Sequence, residues 1–478
     1  MNAKEAELRK RVASAVSKTK ETVTRDPYRL RFHISPPTGL LNDPNGLIHF
    51  DGLYHVFYQW NPFAMEHGPK FWAHLTSQDL VHWEEQEYAL APTEWYEKDG
   101  CYSGSAIEHD SKLYLLYTGN VKDMHGNRET YQCLAVSEDG IHFEKNGPVL
   151  RLPAQYTAHF RDPKVWKKGN LFYMIVGAQT KDYDGAAALF SSPDLMDWTH
   201  IGPLTTDFGP FGYMWECPDV FRLDGKDIFM FSPQGLERQP FKFQNLYQSG
   251  YCTGELDYRT GAFRHTDFQE LDYGFDFYAP QTFEDETGRR LLFAWMGAAD
   301  GQESAHPTAN ANWVHALTLP RELKRAGDNV LQLPVEETKK WRHTAIADRQ
   351  IGITSGKPYT IQGTCIEILL DMLSLDGTWI SIDLRGHLTF TYNKETKTAL
   401  LRRLNPIDQT WEERACKLEK LEKLHIFLDV SSAELFLNGG EISFTSRYFP
   451  DEKNEDITLT AQSSASFRLQ AWELVKTK

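Results

Sequence analysis

The sequence has no long hydrophobic run and no recognisable leader segment. No apolar stretch approaches the roughly 20 residues that a membrane-spanning helix needs. Residues 4–20 alternate charged and small residues without the continuous apolar core of a secretory signal, and the glutamates among them do not fit a transit peptide. These absences predict a cytoplasmic protein without a membrane partner.

Cations and cysteines are also scarce. The 51 Lys and Arg residues against 66 Asp and Glu residues give a net charge of −15, which disfavours nucleic acid or an anionic membrane as partner. The six cysteines are scattered, with no Cys-x-x-Cys pair and no histidine cluster beside them. This spacing argues against a zinc site, and a chain of 478 residues does not need disulfides. We expect free thiols, no metal and no cofactor.

What the sequence does contain is an internal repeat. A polar turn followed by an aromatic residue recurs at Ser77–Trp83, Ser137–Phe143 and Ser192–Trp198, with a weaker copy at Asp257–Phe263. A second repeat, in phase with the first, places the start of an apolar strand pair at residues 43, 103, 162, 216 and 279. Five copies of short strands without a convincing helix between them predict a five-bladed β-propeller. An all-β sandwich with accidental similarity is the alternative.

The pattern changes near both ends of the chain. Residues 1–28 carry apolar side chains at helical spacing, among them Leu8, Val12 and Val16, and predict a short helical extension. We assign residues 29–334 to the propeller, 335–346 to a linker and 347–478 to a second domain. Short alternating strands and the hairpin signal Asn438-Gly439 predict that this domain is a β-sandwich, so the fold class is all-β.

Three of the five strand starts carry an acid: Asp43, Asp162 and Glu216. First strands line the central channel of a propeller, so these acids are expected to converge. Each acid taken alone also fits a turn or a local ion pair. The other two copies have Ser103 and Ala279 there, so the fold does not demand an acid, and carboxylates gathered in a channel repel one another unless they serve a function.

Such a cluster could bind a metal or cleave a glycoside. Calcium and magnesium sites commonly take their oxygens from one loop, whereas these acids come from three blades. Glycoside hydrolysis uses two carboxyl groups, one ionised and one protonated. Glu216 has the apolar neighbours Trp215 and Cys217, which would raise its pKa as a general acid requires, whereas Asp43 is expected to stay ionised. Trp60 and Trp295 are candidates for stacking on a sugar, or for plain packing.

These residues resemble the signature motifs of glycoside hydrolase family 32, which contains invertases and fructanases. The matching segments are Asn42-Asp43-Pro44-Asn45-Gly46, Arg161-Asp162-Pro163 and Glu216-Cys217-Pro218. The resemblance implies a five-bladed propeller followed by a β-sandwich, and hydrolysis with net retention. Many members have a tryptophan ahead of the first motif, where this chain has Gly39-Leu40-Leu41.

The resemblance also implies a role for individual residues. Asp43 would be the nucleophile, Asp162 would stabilise the transition state, and Glu216 would be the acid/base. The residues similarly placed to hold a fructosyl ring are Asn42, Gln59, Ser103, Arg161, Tyr278 and Trp295.

The expected substrate is a small sugar, sucrose-6-phosphate or sucrose. The lack of a leader and the length resemble family members that cleave phosphorylated sucrose inside bacteria, which need a cationic phosphate pocket. Candidate cations are Lys122, Arg128, His159, Lys181, Arg238 and Lys242. A fructan or fructo-oligosaccharide substrate, an inverting arabinan-type hydrolase and a non-catalytic sugar-binding propeller are the alternatives. Dimerisation through the sandwich domain also stays open.

Overall fold

The computed structural model describes residues 3–299 and 301–474, and the chain is almost entirely β-structure. The helix α1 (Ala3–Arg25) buries Val12 and Val23 against the propeller and exposes most of its charged side chains. Arg9 of this helix pairs with Glu5 one turn earlier. The predicted helical extension ran from residue 1 to residue 28, and residues 1 and 2 lie outside the described part of the chain.

Five sheets follow, and they are the blades of the predicted propeller. Blade I contains β1 (Gly39–Phe50), β2 (Leu53–Asn61), β3 (Phe71–Ser77) and β4 (Glu84–Glu85). Blade II contains β5 (Cys101–His109), β6 (Lys112–Lys122), β7 (Arg128–Ser137) and β8 (Glu144–Arg151). Blade III contains β9 (Tyr156–Lys168), β10 (Leu171–Thr180), β11 (Gly185–Ser192) and β12 (Thr199–Pro203).

The last two blades contain additional short strands. Blade IV contains β13 (Met214–Leu223), β14 (Lys226–Gln234), β15 (Gly250–Asp257), β16 (Ala262–His265) and β17 (Gln269–Glu270). Blade V begins with β18 (Tyr278–Glu284) and β19 (Arg290–Met296). After β20 (Trp313–Val314), which joins blade I, blade V ends with β21 (Ala316–Leu317), β22 (Arg321–Ala326) and β23 (Asn329–Pro334).

The blades are arranged in a closed ring. The first strands β1, β5, β9, β13 and β18 each contact the first strands of both neighbouring blades. The ring is closed by β20, which pairs in parallel with β1 through Gly39 opposite Trp313 and Leu40 opposite Val314. The five-bladed propeller predicted from the repeats is therefore confirmed.

Every first strand has a β-bulge at the same height. In blade III, Asp162 and Pro163 together face a single residue of β10, and each of the other four first strands gains one residue in the same place. The left-handed φ of Asp162 (67°), Cys217 (46°) and Ala279 (49°) marks the bulge in three blades. A bulge re-aims side chains, so two consecutive residues of one strand reach the channel.

The bulge also corrects the predicted register of the acids. Glu216 pairs with Ser232 directly before the bulge, as Arg161 pairs with Gly177, so the residue equivalent to Asp162 is Cys217. In blade I the last pair before the bulge is Leu41 with Trp60, which places Asp43 one position after that of Asp162. The prediction that the three acids share one strand position is therefore wrong. All three positions face the channel, so the acids still converge.

The second domain is the predicted β-sandwich, which packs two six-stranded sheets over one apolar core. One sheet contains β24 (Arg342–Thr354), β26 (Ile366–Leu375), β31 (Lys423–Asp429), β32 (Ser432–Leu437), β33 (Ile442–Arg447) and β35 (Ser464–Leu474). The other contains β25 (Tyr359–Gln362), β27 (Trp379–Leu384), β28 (Leu388–Asn393), β29 (Thr398–Leu404), β30 (Trp411–Lys417) and β34 (Asp456–Ala461).

Short 3₁₀ helices complete the chain. They are Trp95–Glu97, Glu303–Ala305, Pro307–Ala311 and Glu336–Trp341. The last of these occupies much of the predicted linker 335–346, and β24 begins directly after it at Arg342. All six cysteines are buried and unpaired, as predicted.

A buried polar network joins the two domains. The Arg321 side chain is fully buried, and its guanidinium donates to Glu434 and Asp272 of the two facing domains. His33 donates 2.9 Å hydrogen bonds from one ring nitrogen to Asp429 and from the other to Glu434. Burial alone lowers the pKa of His33, but these two carboxylates outweigh burial and raise it. The network therefore holds a doubly paired imidazolium at the domain boundary.

Candidate active site

A pocket of about 380 Å³ opens at the centre of the propeller, where the bulged first strands meet. All three predicted catalytic acids line it. Of the predicted substrate-binding residues, those that line the pocket are Asn42, Gln59, Arg161, Tyr278 and Trp295. Ser103 lies buried directly behind the lining and bonds to two of its residues.

Asp43 is held by hydrogen bonds to both carboxyl oxygens. The Ser103 hydroxyl donates to Oδ2, and Asn42 Nδ2 donates to Oδ1 over 3.1 Å. Gln59 connects these two donors, since it accepts from Asn42 and donates to Ser103. Burial raises the pKa of Asp43 and the charge of Glu216 raises it further, whereas the two donors lower it. The donors thus favour the carboxylate form that burial opposes.

Asp162 stands beside Asp43, with Cys217 between them. The Cys217 backbone N–H donates to Asp162 Oδ2 over 3.0 Å. The Cys217 sulfur lies 3.7 Å from an oxygen of Asp162 and 4.0 Å from an oxygen of Asp43. Burial raises the pKa of Asp162, Arg161 lowers it, and the nearby carboxylates Glu216 and Asp43 raise it again. The negative charges of Asp43 and Asp162 therefore lie close together in the pocket and disfavour ionisation of both carboxyl groups at once.

Glu216 accepts four hydrogen bonds. Arg161 donates to Oε1 from Nε over 3.0 Å and from Nη2 over 2.5 Å. Tyr278 donates its hydroxyl to Oε2 over 2.5 Å, and Gln234 donates to the same oxygen over 2.7 Å. The predicted apolar surroundings of Glu216 are wrong, because its neighbour Trp215 turns away into the core of blade IV.

Trp60 does not belong to the pocket, although it was predicted to bind substrate. Side chains alternate along β2, so Trp60 points away from the channel that Gln59 faces. The Trp60 indole N–H donates to the backbone oxygen of Thr38 over 2.7 Å, and the ring packs in the blade core beneath α1. Trp295, the other stacking candidate, does line the pocket.

The phosphate candidates separate into two groups. Lys122, Arg128 and His159 line the pocket. Lys181, Arg238 and Lys242 are not among the residues that line it.

Seven lining residues were not singled out by the sequence analysis: His67, Lys70, Tyr102, Tyr213, Gln234, Tyr247 and Ala299. Two of them, Gln234 and Lys70, bear on the chemistry. Gln234 is the last residue of β14, and Gln59 lies near the end of β2, which is the second strand of its own blade. A polar residue near the end of a second strand could therefore have indicated Gln234. Lys70 gave no such signal, because it precedes β3 in a loop. Its ammonium is buried and has no hydrogen-bond partner among the described residues, and burial lowers its pKa to about 7 despite the charges of Asp43 and Glu303.

The pocket therefore combines a hydrogen-bonded aspartate, a second aspartate beside it and a glutamate that accepts hydrogen bonds from its neighbours. This set suits nucleophilic and acid/base chemistry on a polar substrate. Within residues 3–299 and 301–474, no group of His, Cys, Asp and Glu side chains is arranged to hold a metal ion. In that same part of the chain, no helix is long and apolar enough to cross a membrane.

Two family models match the sequence. The glycosyl hydrolases family 32 N-terminal domain matches residues 33–334, and the glycosyl hydrolases family 32 C-terminal domain matches residues 337–473. Together they cover both domains of the fold.

Relatives and solved structures agree with this match. The chain is 48% identical to a sucrose-6-phosphate hydrolase of Bacillus subtilis, over 99% of this chain and the full length of the relative. It is 41% identical to a sucrose-6-phosphate hydrolase of Salmonella typhimurium, over 92% of both chains. A solved β-fructofuranosidase of Bombyx mori in complex with sucrose superposes with a TM-score of 0.87 at 34% identity, covering 100% of this chain and 99% of that one.

Proposed function

The chain belongs to glycoside hydrolase family 32, and we propose that it hydrolyses sucrose phosphorylated on C6 of the glucosyl unit, in preference to sucrose. The observation that supports this most is that Asp43, Asp162 and Glu216 share one pocket with a set of cations at its rim. The buried free thiols fit a reducing compartment, where a phosphorylated sugar would also be retained.

The first step would form a fructosyl-enzyme. An Asp43 carboxylate oxygen attacks C2 of the fructosyl unit while the bond from C2 to the glucosyl oxygen breaks. Glu216 gives its proton to that oxygen, so the leaving group departs as a neutral alcohol. Ser103 and Asn42 fix the attacking carboxylate, and Tyr278, Gln234 and Arg161 orient the acid.

The second step would reverse these roles. Glu216, now a carboxylate, takes a proton from a water molecule whose oxygen attacks C2, and the ester bond to Asp43 breaks. Two displacements at one carbon restore its configuration, so the product is the retained fructofuranose. Asp162 would hold fructosyl hydroxyls by hydrogen bonds that strengthen as positive charge develops on the ring.

The function is tested by kcat/KM on sucrose-6-phosphate and on sucrose, with Asp43→Ala as the inactive control. We expect a clear preference for the phosphorylated sugar, and a loss of at least about 10⁴-fold on both substrates in the variant. Equal or better activity on sucrose would reject the phosphorylated substrate and leave an invertase. Activity on neither sugar would instead support a sugar-binding protein, and wild-type rates in Asp43→Ala would reject the mechanism.

A further inference from the structure

Two cations face each other at the end of one hairpin in the pocket. Lys122 is the last residue of β6, and Arg128, the first residue of β7, is its direct cross-strand partner. Both side chains line the active-site pocket. Like charges at directly opposed positions destabilise an antiparallel pair, so this pairing is unfavourable unless an anion lies between them.

Within the described part of the chain, neither cation forms an ion pair with a carboxylate. The half-buried Arg128 guanidinium lies 5.9 Å from the centre of the Tyr102 ring and forms no ion pair within the described residues. Burial lowers the pKa of Arg128, as expected for a cation withdrawn from water. The charge of Lys122 lowers the pKa of Asp99, but that carboxylate is bound by the ammonium of Lys98 and by the backbone N–H of Lys122.

Arg128 lies on the Glu216 side of the pocket. Its charge interacts with Arg161, Glu216 and Asp162, and Glu216 is assigned above to protonation of the glucosyl oxygen. Lys70, by contrast, interacts with Asp43, where the fructosyl unit would be bound. A group carried by the glucosyl unit would therefore meet Arg128 rather than Lys70.

We propose that Arg128 and Lys122 bind the phosphate of a 6-phosphorylated glucosyl leaving group, with His159 as a third donor. This assignment rests on the proposed function. The planar guanidinium pairs two N–H groups with two phosphate oxygens, and the ammonium adds a point charge from the opposite strand. The site thereby distinguishes a phosphorylated from an unphosphorylated sugar.

The hydrogen bond between Arg161 and His159 determines which ring nitrogen of His159 can donate to a ligand. Arg161 Nη1 lies 3.1 Å from His159 Nδ1, and because arginine only donates, Nδ1 must accept. Burial lowers the pKa of His159 to about 4, with help from the charges of Arg161 and Arg128. The neutral ring therefore carries its proton on Nε2, where it is available to an oxygen of the ligand.

The decisive quantity is the ratio of kcat/KM on sucrose-6-phosphate to kcat/KM on sucrose. Arg128→Gln should lower this ratio by about 10- to 100-fold, the range expected for loss of a charge-assisted pair. Arg128→Lys should recover part of it, since a point charge remains without the fork. Lys122→Gln should lower it less, and Lys181→Gln, a cation outside the pocket, should leave it at the wild-type value.

Inhibition constants for glucose 6-phosphate and for glucose measure binding at the same site without the chemical step. In the wild type glucose 6-phosphate should inhibit more strongly than glucose, and Arg128→Gln should remove that difference. A wild-type ratio in Arg128→Gln, or an equal loss on both substrates, would overturn the phosphate site. If the wild-type enzyme has no preference for the phosphorylated substrate, the proposed function fails. The phosphate site then fails as well if glucose 6-phosphate inhibits no better than glucose, and it stands if glucose 6-phosphate inhibits more strongly.

Discussion

Two buried arginine–glutamate pairs occupy very different places in this molecule. Arg161 and Glu216 line the catalytic pocket with side-chain exposures of 12% and 14%, whereas Arg321 and Glu434 join the domains with exposures of 0%. Each glutamate accepts four hydrogen bonds, two of them from its arginine. The number of hydrogen bonds therefore does not distinguish a catalytic carboxylate from a structural one.

The surroundings distinguish them. Around Glu434, the neighbouring acids Asp272 and Asp429 receive backbone and side-chain donors, and His33 supplies a second positive charge. Around Glu216, Asp43 and Asp162 also receive donors, but the charge of Asp43 raises the pKa of Asp162, and the ammonium of Lys70 has no hydrogen-bond partner in the described chain. The interface network pairs its charges with partners of opposite charge, whereas the pocket contains charges that are not fully paired. Unpaired charges of this kind are typical of catalytic sites.

The substitution Glu216→Gln tests the catalytic half of this comparison and should have the largest effect. Gln retains the size but carries no transferable proton, and only one end of its amide can accept from the donors around Glu216, so kcat on sucrose should fall by about 10⁴-fold. The melting temperature should stay near that of the wild type. With a nitrophenyl fructoside, whose leaving group needs no proton, the variant should still release a burst of nitrophenol. A full loss of that burst would assign Glu216 a role in the attack rather than in protonation.

The matched change at the interface is Glu434→Gln. Loss of one partner from a buried ion pair should lower the free energy of unfolding by about 3 kcal/mol, while kcat stays within about twofold. Because the pKa of His33 is raised above 6.5 in the fold, its ionic contribution is complete below pH 6.5 and lost as the pH rises through the folded pKa. The deficit measured by urea unfolding should therefore be larger at pH 6 than at pH 9. An unchanged stability would show that this network does not hold the domains together.

Lys70→Met should give the smallest change, of opposite sign. Removing a buried cation without a hydrogen-bond partner should raise the free energy of unfolding by about 1 to 3 kcal/mol at pH 7. The pKa of Lys70 is lowered from 10.5 to about 7, so the unfolded chain binds the extra proton between these values and the wild type gains stability as the pH rises. The advantage of the variant should shrink from pH 7 to pH 10. A variant less stable than the wild type would mean that the ammonium is structurally required.

Sequence reasoning reached the propeller because the repeat spacing survives in the chain, and it reached Asp43 and Asp162 because both are acids at equivalent positions of the sequence repeat. In the structure both lie inside the first strand of their blade and not at its start, where they were predicted. Sequence reasoning also assigned the three acids to one strand position, since an inserted bulge residue leaves no mark in a pattern of alternating side chains. It placed Trp60 in the pocket together with Gln59, although consecutive residues of a regular strand point to opposite faces and only Gln59 faces the channel. The ion pair of Arg321 and Glu434 could not be predicted from the sequence, because 113 residues separate its partners and no repeat relates them.

The closure of the ring by β20 has a consequence for synthesis of the chain. A ribosome releases β1 first, yet the strand that completes blade I comes from residues 313 and 314. The backbone N–H groups of Arg31 and Phe32 bond to Asp429, which is synthesised later still. Such distant pairings form slowly and leave strand edges exposed meanwhile. The nascent chain should therefore depend on chaperones in its first three blades, and truncation before residue 313 should yield aggregated protein rather than a smaller propeller.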